Sequence, residues 1–227
     1  MGLLLGHQDT FLLIRSSRRT LALEIKPDAT IVVRAPRRVP LKEIHRFVAG
    51  HDDWISRKRA EVLARPRSAA KEFTDGENFL LLGQSCGLCL IDNASLDVDF
   101  DGRLLLSAQA QPYARDAIVA WYKHRARQEF RQRTEIHAAA MGYHPSGIRI
   151  TSPLRRWGSC GITDCLNFNW RLVMAPPEII DYVVVHELAH IHYKSHGADF
   201  WGLVAKFYPN HRKARRWLKD NGHLLEI

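Results

Sequence analysis

His186-Glu187-Leu188-Ala189-His190, followed six residues later by His196, is the stretch on which the reading of this chain turns. On an α-helix, residues four apart share a face, so His186 and His190 aim their rings at one point while Glu187 stands about a third of a turn away. One divalent ion can take both imidazoles. Zinc accepts neutral imidazole nitrogen, prefers four ligands, and in hydrolytic sites keeps one position for a water whose pKa falls to about 7. Glu187 is then the candidate acid/base, taking a proton from that water and delivering it to the leaving group.

A third protein ligand has to come from nearby, and His192, His196 and Asp199 are the candidates. His192 sits two residues beyond His190 and faces another side of the helix. His196 swings back if the helix ends near Lys194 or Ser195, which Gly197 permits, so His186, His190 and His196 are the expected ligand set, with Asp199 as the alternative. The spacing copies that of the metzincin proteases. Their glycine between the second and third histidines is replaced here by Tyr193, and no methionine follows Met174, so a downstream Met-turn is excluded.

Working outward, Pro176-Pro177 followed by the apolar run Ile179 to Leu188 predicts a buried helix that continues through the histidine pair. Ile148 to Ser152 and Leu166 to Leu172 read as strands, the second with Phe168, Trp170 and Leu172 on one face and Asn167, Asn169 and Arg171 on the other. Pro112 to Met141 reads as a long helix with Ile118, Tyr122, Ala126 and Phe130 on one stripe and Gly142 as its stop. Before it, Phe79 to Ser107 reads as a meander with turns at Asp92-Asn93 and Asp101-Gly102. An earlier meander is expected from Thr10 to Arg15, Thr20 to Lys26 and Thr30 to Ala35, broken by Ser16-Ser17 and Pro27-Asp28. A helix follows Pro40, with Ile44, Phe47, Val48, Trp54 and Ile55 at helical spacing and a bend at Gly50, and a basic linker runs through Arg67.

At 46% hydrophobic over 227 residues the chain can bury a real core, which excludes a disordered or fibrous protein. Met1 to Leu5 lacks a basic n-region and a long h-region, and no run approaches the length of a membrane span, so a cytoplasmic chain without membrane contact is expected. In that compartment Cys86, Cys89, Cys160 and Cys165 are free thiols. Cys86 and Cys89 resemble half of a zinc ribbon, yet three residues apart on a strand they point to opposite faces. Asp97-Val98-Asp99-Phe100-Asp101-Gly102 opens like a calcium loop, but Ala108 stands where the bidentate glutamate is required, and Val98 and Phe100 alternate as a strand does. The net charge of +9 admits nucleic acid or a nucleotide as a polyanionic partner, though basic residues on solvated helix faces explain it as well.

Arg156-Trp157-Gly158-Ser159-Cys160, Leu166-Asn167-Phe168-Asn169-Trp170-Arg171-Leu172, Ala175-Pro176-Pro177, the run Ile180 to His190, and Phe200-Trp201 together resemble the YgjP-like metallopeptidases, relatives of the SprT-like group. Ala35-Pro36-Arg37 and Trp54 extend the likeness toward the N-terminus. The resemblance implies a gluzincin-type core: a zinc-binding helix beside a small antiparallel sheet, His186, His190 and His196 as ligands, Glu187 as catalytic acid/base, and a sheet edge around Trp157 to Trp170 that holds an extended peptide. This chain has no C-terminal cysteine-rich ribbon of the kind many SprT-like proteins carry.

The expected fold is therefore α+β, with N-terminal antiparallel β-meanders and a helix over residues 1–110 and a zincin-like catalytic subdomain over 111–227. The expected activity is zinc-dependent hydrolysis of peptide bonds in a peptide or protein substrate. The alternatives are a metal-dependent nucleotide phosphohydrolase and a SprT-like protease acting on DNA-associated proteins. Tyr193, Tyr182, His192 and Arg171 are the candidate donors to a developing oxyanion, and the sequence does not choose among them.

Overall fold

The run Ile31-Val32-Val33 lacks the alternation of a half-exposed strand, which marks a strand covered on both faces. In the computed structural model, which describes residues 11–26, 28–64, 70–92 and 95–227, it opens β3 (Ile31–Pro36), the centre of a three-stranded sheet. β2 (Ala22–Ile25) pairs with β3 antiparallel, and β1 (Phe11–Ser16) pairs with its other side in parallel. A simple antiparallel meander would have put β2 in the middle. The most apolar strand takes the centre instead, and half-buried β2 is left at the edge. Thr10, Pro27, Asn93, the Met1 to Leu5 start and the linker residues 65–67 lie outside the described residues.

Two helices follow rather than one bent helix. α1 (Leu41–Ala49) begins after Pro40 and stops at Gly50, and α2 (Asp52–Leu63) starts with two aspartates in its first turn, where the helix dipole favours them. Ile44, Val48 and Ile55 close a core with Phe11, Ile31, Val33 and Ala35. These elements form one compact unit, Met1–Arg67, and the rest of the chain forms a second, Ser68–Ile227.

In the second unit β4 (Asn78–Leu81), β5 (Gln84–Ile91), β6 (Val98–Phe100) and β7 (Leu104–Ser107) make a sheet of order β4-β5-β7-β6, and its central pair β5 and β7 is parallel, again unlike a meander. The aspartate-rich run is β6 and its turn. Asp97 accepts from the Tyr113 hydroxyl at 3.2 Å and Asp101 pairs with Arg103 at 2.8 Å. The second unit begins at Ser68, and this sheet has no core of its own. Leu88, Leu104 and Leu106 share one core with Ile118, Phe130, Phe168 and Val184. The Tyr122 hydroxyl also donates to the Leu80 carbonyl at 2.7 Å, and the Leu82 and Gly83 amides donate to the Val173 and Met174 carbonyls at 2.9 and 3.0 Å.

α3 (Ala114–Met141) buries Ile118, Tyr122, Ala126 and Phe130 and ends at Gly142. Phe130 stacks on Phe168 at 4.6 Å. Phe168 belongs to β10 (Cys165–Asn169), the middle strand of a third sheet, parallel to β8 (Gly147–Thr151) and antiparallel to β9 (Gly158–Cys160). This sheet is mixed rather than antiparallel. Its last strand stops at Asn169 and does not run to Leu172: the Asn169 side chain accepts from the Arg171 amide at 3.2 Å and starts a 3-10 turn, Trp170–Met174. That turn leads into α4 (Pro177–His192), then α5 (Ala198–Phe207) and α6 (His211–Asn221). All four cysteines are free, and Cys86 is buried, with its thiol 3.6 Å from the Phe79 carbonyl. Among the described residues no helix is long and apolar enough to cross a membrane.

Candidate metal centre

α4 is a helix because it is buried, not because its residues prefer one. Val183, Val184 and Val185 each give up a few tenths of a kcal/mol of helix propensity relative to alanine. Full burial of a Val, Leu or Ile side chain is worth roughly 1.5–3 kcal/mol, and Ile180, Val184, Val185 and Leu188 are all at 0% exposure. Pro177 at the first helical position sets the start. On the side facing α3, Arg133 donates to Asp181 at 2.7 Å, and His137 lies 3.2 Å from the same oxygen. Burial works against the Asp181 charge, but these two partners outweigh it and hold the carboxyl below its usual range.

The four-residue spacing brings His186 and His190 together as the sequence requires, and the chain leaves the helix at Tyr193 in extended conformation, so His196 returns over them. His196 Nε2 lies 3.1 Å from His190 Nε2 and 3.1 Å from His186 Nε2. His190 Nδ1 donates to the Tyr193 carbonyl at 2.9 Å. A carbonyl only accepts, so the proton sits on Nδ1 and the Nε2 lone pair faces the cluster. Burial, with the neighbouring histidines and Arg215 adding to it, pulls His186 down to about 3, and burial likewise lowers His190. Both are neutral at ordinary pH.

The His190 lone pair and the other two Nε2 atoms converge on one point, as the donor atoms around a bound cation do. The ligand nitrogens of a tetrahedral zinc with 2.0–2.1 Å bonds stand about 3.3–3.4 Å apart, close to the separations from His196. All three donor atoms fall within 4.8 Å of one another. The donor set therefore fits a metal ion of borderline softness such as zinc. Asp199 is exposed and is not part of this group, and His192 faces away, its ring stacked on Tyr143 at 6.5 Å.

Glu187 is only 4% exposed, and among the described residues its Oε2 has no hydrogen-bond partner. Burial pushes its carboxyl up to about 8, with the Arg156 charge acting in the other direction. Its side chain lies against the backbone of β9: a Cβ on Gly158 would stand 2.5 Å from Glu187 Oε1 and 2.7 Å from its Cγ. Only glycine leaves room for the glutamate there. β9 is an edge strand, so this contact puts a sheet edge beside the carboxylate.

Gly158, Phe200 and Asn169 are site residues whose roles the sequence reading did not assign, although all three stand in the segments that carried the family likeness. Phe200 is fully buried, with its ring 5.0, 4.5 and 4.8 Å from the rings of His186, His190 and His196, a common platform for the three. Asn169 donates to the carbonyls of Pro153 and Arg156 at 2.9 and 3.2 Å, which fixes the loop that delivers Gly158. Of the four oxyanion candidates, Tyr182 lines the same cleft as His186 and Glu187, while Arg171 packs over the Trp170 ring at 4.7 Å.

The sequence profile of the YgjP-like, metallopeptidase domain matches residues 19–221, nearly the whole chain. The chain belongs to the YgjP-like metallopeptidase family. Membership makes it a metal-dependent peptidase, with a metal ion as cofactor and a peptide or protein as substrate. A search of curated proteins gave no match. Among solved structures, the metallopeptidase zymogen of Pyrococcus abyssi abylysin is similar to this YgjP-like chain over 40% of its length and 92% of its own, at 20% identity and a TM-score of 0.37.

Proposed function

We propose that the chain is a zinc-dependent metallopeptidase in which His186, His190 and His196 hold the ion through Nε2 and Glu187 is the catalytic acid/base. The observation that carries this reading is the meeting of three imidazoles beside a buried carboxylate whose Oε2 has no partner among the described residues. Zinc, when bound, supplies Lewis acidity: it polarises a carbonyl and makes water acidic near neutral pH. Glu187 accepts the proton of the attacking water at Oε2 and passes it to the departing amine. The Glu187 carboxyl, next to the histidines, would be favoured in its charged form were a cation held there.

The edge strand β9 receives the substrate as an added strand, which sets the scissile carbonyl next to Glu187. Tyr182, one turn before His186 and on the same face, is the donor we assign to the oxyanion. The substrate backbone is thus held by main-chain hydrogen bonds while α4 supplies the chemistry.

Glu187→Gln separates chemistry from assembly. Casein hydrolysis by the zinc-loaded variant is expected to fall by about 10²–10⁴-fold, with zinc content by atomic absorption unchanged. Retained hydrolysis overturns the role of Glu187. The basic rim of the cleft beside the site is also what a phosphoanhydride would meet, so a nucleoside triphosphate belongs in the same assay. Its hydrolysis in place of casein replaces the peptidase reading.

A further inference from the structure

Beside the histidines lies a cleft of ≈ 340 Å³ whose mouth carries three cations, Arg156, Arg215 and Lys219. They come from two separate places in the second unit. Arg156 ends the loop before β9, and Arg215 and Lys219 stand one turn apart on α6, on the same face. Like charges at that spacing repel. Among the described residues none of the three makes an ion pair, and the one carboxylate lining the cleft is Glu187, which feels the Arg156 charge and which the chemistry already uses.

Two of the three cations are tied to the fold, Arg215 by a ring contact and Arg156 through its backbone. The Arg215 guanidinium lies over the Trp201 ring at 5.2 Å, and Trp201 stacks on His196 at 5.7 Å, so the rim is tied to the metal centre through one indole. Asn169 anchors the Arg156 carbonyl, and Trp157 packs so closely on α6's end that a Cβ on Gly222 would stand 2.7 Å from it. Trp157 and Leu218 give the cleft apolar walls below this cationic mouth. A short apolar slot ending in guanidinium groups is complementary to a methylene stem that ends in a carboxylate.

We propose that this cleft selects a substrate carboxylate, so that the enzyme prefers peptides with an acidic side chain beside the scissile bond or with a free C-terminus there. The assignment rests on the metallopeptidase reading above and names its substrate class. Arg156, Arg215 and Lys219 pair with the carboxylate at the mouth, and Trp157 and Leu218 cover its stem. The attraction is partly screened by solvent, so the preference falls as salt rises.

The test uses the full chain loaded with zinc and peptides that differ only by Glu or Gln at positions flanking the scissile bond, each with a free or an amidated C-terminus. The Glu peptide is expected to exceed the Gln peptide in kcat/KM by about tenfold or more, and the ratio should shrink as ionic strength rises from about 0.01 M to about 1 M. Arg215→Gln should bring the ratio close to one, whereas Lys213→Gln, on the opposite face of α6, should leave it in place. An effect of amidation that exceeds Glu-to-Gln exchange assigns the carboxylate to the peptide terminus. Binding of the same labelled peptides to Glu187→Gln, read by fluorescence anisotropy, judges the cleft even where no peptide is cut. Absent cleavage with Glu-over-Gln binding that depends on Arg215 sinks the peptidase reading and keeps the carboxylate site. Equal binding of Glu and Gln peptides, together with equal binding of free and amidated ones, overturns the proposal, whether or not a nucleoside triphosphate binds tightly.

Discussion

α4 and α6 both reach the cleft, and they do so from opposite physical positions. α4 is packed on almost every side, carries a run of valines that a free peptide would not keep helical, and holds His186, Glu187 and His190 on a frame that cannot shift without opening the core. α6 buries only Ala214, is basic along its exposed face, and brings Arg215 and Lys219 to the rim. The difference teaches where each kind of function is placed. Groups that must keep their geometry to a fraction of an ångström sit on an element fixed by packing, and groups that act through charge at the entrance sit where solvent and substrate arrive first.

The largest effect that would sharpen this contrast comes from the ligand pair. His186→Ala is expected to strip the metal and bring hydrolysis to background, while hydrogen exchange across residues 11–64 stays protected, because the first unit has its own core. Full zinc occupancy in that variant by atomic absorption would contradict the ligand assignment. A smaller effect is expected at Gly158. An added methyl group has no space beside Glu187, so Gly158→Ala should displace the carboxylate and lower kcat by about 10²-fold with metal content retained; unchanged kcat would mean that the strand yields instead.

The smallest effects compare the helices directly in stability. Ile180→Ala in α4 should cost about 2–5 kcal/mol by urea unfolding, and Lys213→Gln in α6 should stay within about 0.5 kcal/mol. Similar costs for both would remove the distinction between a packed and a peripheral helix.

Much of the site was readable from residue spacing. His186 and His190 meet because four residues span one helical turn, and that fact is local. His196 followed from the expectation that the helix ends near Lys194 or Ser195, and it ends slightly sooner, at His192. Gly158 was quoted only as part of the family likeness, because a backbone that makes room for a side chain from another element leaves no periodic trace. The cationic rim was hidden for the same reason: Arg156 and Arg215 are 59 positions apart in the sequence, and only the fold makes them neighbours.

The fold was legible to the same depth. Strand positions came through near Phe11, Ile31, Val98 and Leu104 because alternation and β-branching are local signals. Strand neighbours did not, and all three sheets contain a parallel pair where two meanders and a small antiparallel sheet were expected. Which strand lies in the centre is decided by how much apolar surface each must cover, as Ile31-Val32-Val33 shows in β3. Alternation also ran past its true end at Asn169, whose side chain captures the Arg171 amide and bends the chain into a 3-10 turn.

Two of the three imidazoles hang from a helix sunk in the core, and the third from a surface segment pinned outside by a Lys194–Asp164 ion pair of 2.8 Å. In the proposed centre, loosening that surface pair would disturb one ligand and leave the two helix-borne ones where the core holds them.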